Sequence, residues 1–158
     1  VIFPYLALPT RRPVTPLAGA MVRYRPIIPV RIFGPSGSRL LDGCVDCGSD
    51  DTMFPLSLAG TLGIDLTGAP QGEACPVGGM IVSYVYAPVT LRVTDGLESF
   101  QWQTSVDFVD LPLRWALLGH AGFLDFFDTD LRGARREVFL TPNALFPGTQ
   151  VRCQSPVP

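Results

Sequence analysis

Lysine is missing altogether: all 12 basic residues of this 158-residue chain are arginines. That bias reads as base composition of the coding sequence, not as mechanism. Against 14 acidic residues it leaves a net charge of −2, which gives no electrostatic reason to expect nucleic acid as a partner. No apolar run approaches the roughly 20 residues that span a bilayer, so no membrane segment is expected. The apolar start, residues 1–10, lacks the basic leader of a signal peptide, and a cytoplasmic location is the default expectation. Histidine occurs once, at His120. The four cysteines, Cys44, Cys47, Cys75 and Cys153, lack the dense spacing of a secreted disulfide scaffold. Charged residues make up only 16% of the chain and hydrophobic ones 47%, which excludes a disordered chain.

What is abundant is glycine and proline, 16 of each. Spread along the chain, they suit many short strands and turns better than long helices. The length fits one domain with a sizeable core. Residues 1–20 hold four prolines with no clear period and read as an extended arm. A folded domain is expected over 21–148, and a flexible tail over 149–158. Within the domain, residues 25–33 and 39–46 read as strands joined by the hairpin turn 34–38. Leu56, Ala59 and Leu62 stand at helical spacing and predict a short helix ended by Gly63. Residues 73–93 read as a hairpin with its tip at 75–80. Residues 100–109 alternate, with Trp102, Thr104 and Val106 opposite Gln101, Gln103 and Ser105. A short apolar strand is expected over 115–118, a helical start at 121–124, and a last hairpin over 127–140. The fold class predicted is mostly β with one or two short helices.

The most informative stretch is 39–54. An apolar strand delivers Asp46 into a tight turn made by Gly48 and Ser49, and the polar run Asp50-Asp51-Thr52 follows. A carboxylate at the end of a buried strand is costly unless it is paired or shares a proton. Asp46-Cys47-Gly48-Ser49 resembles the catalytic loop of the retropepsin-like aspartic proteases, which read Asp, Thr or Ser, Gly, then Ala or Ser. Three further stretches match in order. The strand over 25–32 with its hairpin is similar to the family strand that precedes the catalytic one. Val77-Gly78-Gly79-Met80-Ile81 resembles the glycine-rich flap. Leu117-Leu118-Gly119-His120 is similar to the apolar-apolar-Gly-Arg motif that packs beside the catalytic loop.

The resemblance covers roughly residues 22–131. It implies the retropepsin-like acid-protease barrel, half of a pepsin-type two-lobed molecule, and an aspartic endopeptidase activity. Such proteolysis uses two carboxylates that share a proton across a bound water. Only one matching motif is present, so the second carboxylate would be Asp46 of another copy, with the site on the two-fold axis of a homodimer. Asp46 would be catalytic. Cys47, Gly48 and Ser49 would form the loop, Asp50 and Asp51 would line the substrate cleft, and Val77, Gly78 and Gly79 would form the flap tip. Gly119 and His120 would support the loop, His120 standing where the family has an arginine that pairs with the acid at Asp50. The substrate would be an extended peptide, with no cofactor and no metal. Cys44-x-x-Cys47 is formally a redox or zinc spacing, but a strand sends the two side chains to opposite faces. The alternative function is a catalytically inactive module of the same fold that dimerises or binds peptides, which Cys47 and His120 favour.

Overall fold

In the computed structural model the described residues are 1–74, 79 and 81–152. The strands are β1 (Ile2–Pro4), β2 (Leu6–Val14), β3 (Ala20–Arg25), β4 (Ile27–Gly34), β5 (Gly37–Val45), β6 (Met53–Pro55), β7 (Gln71–Ala74), β8 (Val82–Thr94), β9 (Glu98–Val109), β10 (Ala116–Leu118), β11 (Phe127–Arg132), β12 (Glu137–Pro142) and β13 (Thr149–Arg152). The one α-helix, α1 (Leu56–Leu62), buries Leu58, Ala59 and Leu62, and Gly63 closes it in the left-handed conformation at φ 67°. Among the described residues this is a mostly-β protein built on a closed six-stranded mixed barrel.

The barrel closes because the ladder β9-β6-β10-β5-β4-β8 returns to β9. Two of its six seams are parallel, β5 with β10 and β6 with β9. Closure leaves no open edge where the six strands overlap, and the overhanging ends of β8 and β9 are taken by β7 and β13. The alternation expected over 100–109 holds at the start of β9: Phe100, Trp102 and Val106 are buried, while Gln101, Gln103 and Ser105 are exposed. From Val106 to Val109 every residue is buried; here β9 has β6 on one edge and β8 on the other, and α1 packs against it. Trp102 anchors an aromatic cluster with Phe123, Phe127 and Phe146 at 5.3–5.8 Å between ring centroids. Its indole N–H donates to Gly122 O at 3.0 Å, which satisfies the polar end of a buried ring.

Three segments differ from the sequence expectation. The residues read as an extended arm, 1–20, are structured. β1 pairs with β12 and buries Val1 and Phe3, and β2 pairs with β3 as a separate two-stranded hairpin. Prolines do not prevent this, since a two-stranded ribbon has two outer edges where a missing N–H costs nothing. At the other end, Thr149–Arg152 is not a tail but a strand on β9. β6 pairs with β9 only at Asp107–Val109, so the edge at Glu98–Gln101 is free to take it. The helical start expected at 121–124 is replaced by a single 3-10 turn, Leu124–Phe126. Gly122 sits at φ 90°, a conformation that a right-handed helix cannot include.

Candidate functional site

The end of β5 is fixed by two neighbours. Val45 N–H donates to Pro26 O at 2.9 Å, and Asp46 N–H donates to Leu118 O at 3.1 Å, continuing the parallel seam with β10 by one residue. The chain then turns. Gly48 N–H donates to Asp46 Oδ1 at 3.0 Å and Ser49 N–H to Asp46 O at 3.2 Å, so the Asp46 carboxylate caps its own turn. Ser49 Oγ closes the next step by donating to Asp51 O at 2.8 Å.

Residues after β10 lie against this loop. His120 N–H donates to Ser49 O at 3.0 Å, Ala121 N–H to Asp50 O at 2.8 Å, and Thr52 N–H back to Ala121 O at 3.0 Å. The two backbones come so close that a β-carbon on Gly119 would overlap the carbonyls of Asp51 and Ser49. Gly119 is therefore required by contact. The His120 ring does not pair with Asp50. Its Nε2 lies 3.2 Å from Cys47 O, and its Nδ1 lies 3.9 Å from an Asp125 carboxylate oxygen. The residue after Gly119 reaches the loop through a backbone carbonyl because Asp50 is exposed and turned toward the cleft.

That cleft, of about 430 Å³, has Asp46, Gly48, Ser49, Asp50 and Asp51 as its floor. Glu73, Ala74, Val82 and Tyr84 of the β7–β8 hairpin form one wall, and Leu111, Leu113 and Leu117 form an apolar one. Four carboxylates and no basic side chain face it among the described residues. Of the residues expected at the hairpin tip, Val77 and Gly78 lie outside the described residues, while Gly79 is exposed at φ 77° with open space around it. Cys47 is exposed at the loop apex, and Cys44 is half-buried on β5. Burial raises the Cys44 thiol pKa, helped by the Asp46 charge and opposed by Arg25.

Behind the floor lies a group that sequence reasoning missed. Asp107 on β9 is fully buried, and neither carboxylate oxygen has a hydrogen-bond partner among the described residues. The Thr52 hydroxyl is equally buried and equally unpartnered. The two residues are adjacent, since Asp107 N–H donates to Thr52 O at 2.9 Å. Desolvation, with the Asp51 charge behind it, pushes the Asp107 pKa up to about 7. Asp51 is itself raised, first by burial and then by Asp50. Tyr86, opposite Asp107 in the β8–β9 register, shares a 3.2 Å hydroxyl contact with Tyr84 in the cleft wall. That contact, burial and the charges of Asp51 and Asp107 all raise the Tyr86 pKa. The available signal in the sequence was one acid inside the apolar run Val106-Asp107-Phe108-Val109. A second missed residue is Gly72, whose missing side chain lets the Tyr84 ring lie across β7.

No protein-family model and no curated protein matches this chain.

Proposed function

We propose that this chain is one subunit of a homodimeric, retropepsin-like aspartic endopeptidase. The observation that carries the reading is the Asp46 turn: a carboxylate at the end of a parallel strand pair, held by the Gly48 N–H on the floor of a cleft. In the proposed reaction Asp46 of one subunit, ionised, takes a proton from water. Asp46 of the second subunit, protonated, donates to the peptide carbonyl oxygen as the water oxygen bonds to carbon. The tetrahedral intermediate collapses with proton transfer to the leaving nitrogen. An extended peptide fits between the apolar wall at Leu111 and Leu113 and the hairpin wall at Tyr84, paired in the manner of an added strand. Gly79, exposed and in a conformation that side chains resist, suits a hairpin tip that closes over it.

The second reading is an inactive dimerisation or peptide-binding module of the same fold. It is favoured by Cys47, a weak thiol donor where a hydroxyl would tie two loops together, and by the His120 ring engaged with Cys47 O. Hydrolysis of a peptide library at mildly acidic pH separates the two. The expected result is turnover by the wild type that falls to background in Asp46→Asn, with the melting temperature preserved. Equal turnover in Asp46→Asn would overturn the aspartic mechanism. Saturable peptide binding with no turnover in the wild type would establish the second reading.

A further inference from the structure

The β2–β3 hairpin stands apart from the barrel. It forms its own two-stranded sheet, and all its residues except Val14 are exposed or half-exposed. From Leu6 to Arg25 it carries Arg11, Arg12, Arg23 and Arg25 and no acidic residue. The other eight arginines of the chain are set against all 14 Asp and Glu. Arg11, Arg12, Arg23 and Arg25 make no ion pair among the described residues, whereas Arg132 and Arg152, on β11 and β13, do. The register places Leu6 opposite Arg25 and Leu8 opposite Arg23, so these four side chains share one face with Met21. Leu6, Leu17 and Met21 are 37–49% exposed. The opposite face meets the chain's own body at its root, where the Arg136 guanidinium lies 3.6 Å from the centre of the Tyr24 ring. One face thus touches the chain's own body at Tyr24, and the other carries apolar and basic side chains that are exposed or half-exposed.

The root of the hairpin lies beside the candidate site. Pro26, one residue past β3, accepts the N–H of Val45, the residue before Asp46. A nine-residue strand such as β2 spans about 30 Å. If two Asp46 loops meet on an axis, a projection of that length starting next to the axis crosses onto the other subunit.

We propose that the β2–β3 hairpin is an intersubunit arm, its Leu6, Leu8, Met21, Arg23 and Arg25 face lying on the net-acidic body of a second copy of this chain. The choice of partner rests on charge: a strip with no acid meets a body in which acids outnumber arginines by 14 to eight. The inference rests on the dimeric reading given above. In the dimer the arm contributes apolar burial at its centre and attraction at its rim, and the latter weakens with salt.

The test is sedimentation equilibrium of the whole chain at low and high salt, for the wild type, for Arg23→Glu/Arg25→Glu, and for a variant with residues 7–24 replaced by a short Gly-Ser turn. The shortened variant keeps Val1 and Phe3 in the core, and far-UV circular dichroism with thermal melting verifies its fold. The expected result is a wild-type dimer whose Kd rises with salt, and a Kd at least tenfold higher in both variants at low salt. A wild-type dimer with Kd within twofold in the charge-reversed chain and in a folded shortened chain would overturn the arm and leave the dimeric reading standing. A wild type that stays monomeric up to about 100 μM would overturn the dimeric reading, and the arm with it.

Discussion

Asp107→Asn isolates the one buried carboxyl group behind the cleft. In the folded protein this group titrates at about 7, whereas an unfolded Asp titrates near 3.9 (roughly). Between those values the folded state holds a proton that the unfolded state has lost. The folded state therefore binds more protons, and stability falls as pH rises. The contribution is fully present below about pH 4 and is lost as pH rises through about 7. Integrated from pH 5 to pH 8, the loss is about 3 kcal/mol. Against a net stability on the order of 5–15 kcal/mol, that is a large share. Asparagine has the shape of the protonated acid and does not titrate. The variant should thus gain about 3 kcal/mol relative to wild type between pH 5 and pH 8, whatever its offset at pH 5.

The assay is urea unfolding at fixed protein concentration, followed by the fluorescence of Trp102, which is buried against Phe123 and Phe127. Comparing differences between the two proteins removes the titration of groups that both share. Asp51→Asn supplies a second check: its charge helps raise Asp107, so its removal should shift the pH of the loss downward. A wild-type-to-variant difference that stays constant within about 1 kcal/mol across the range would show that the Asp107 oxygens are solvated, for instance by a buried water.

Gly119→Ala forces a methyl group into the carbonyls of Asp51 and Ser49, and should cost about 3 kcal/mol, roughly 10 °C in Tm, measured by thermal melting. On the proposed reading, Cys47→Thr should tighten the dimer and raise the peptidase rate, because a hydroxyl is the better donor at the loop apex; unchanged Kd and kcat/KM would remove Cys47 from an axial position. Gly79→Val meets open space but a resisted backbone conformation, so KM should rise while Tm falls by only a few degrees.

The barrel was legible because its strands carry their periods openly. The hairpin at 34–38 appears as the Gly34–Gly37 pair, and α1 begins after Pro55 and stops at Gly63. The Asp46 loop was legible as a local string, since Gly48 and Ser49 contact Asp46 within three residues. What was not legible depends on contacts distant in sequence. The strand nature of 149–152 depends on an edge of β9 nearly 50 residues earlier. The helix expected at 121–124 is overridden by Gly122, whose carbonyl accepts the Trp102 indole and whose backbone passes over Ser105. The place of His120 likewise depends on a contact with Cys47 O, 73 residues away. Asp107 reads locally as one acid near a strand end. Only the closure of β9 on β6 and β8 shows that it is buried.

The distribution of like charges bears on whether one chain suffices for catalysis. An aspartic site needs two carboxylates close enough that only one ionises. Within this chain the like-charge effects lie elsewhere and come second to burial: burial and then Asp50 raise Asp51, and burial and then Asp51 raise Asp107. Asp46 is not among the groups that shift either of them. In the loop the Asp46 carboxylate accepts the Gly48 N–H, while the Asp51 carbonyl accepts the Ser49 hydroxyl. On the reading proposed above, the partner acid for Asp46 comes from a second copy of the same loop, because the chain holds one Asp-x-Gly-Ser string, residues 46–49.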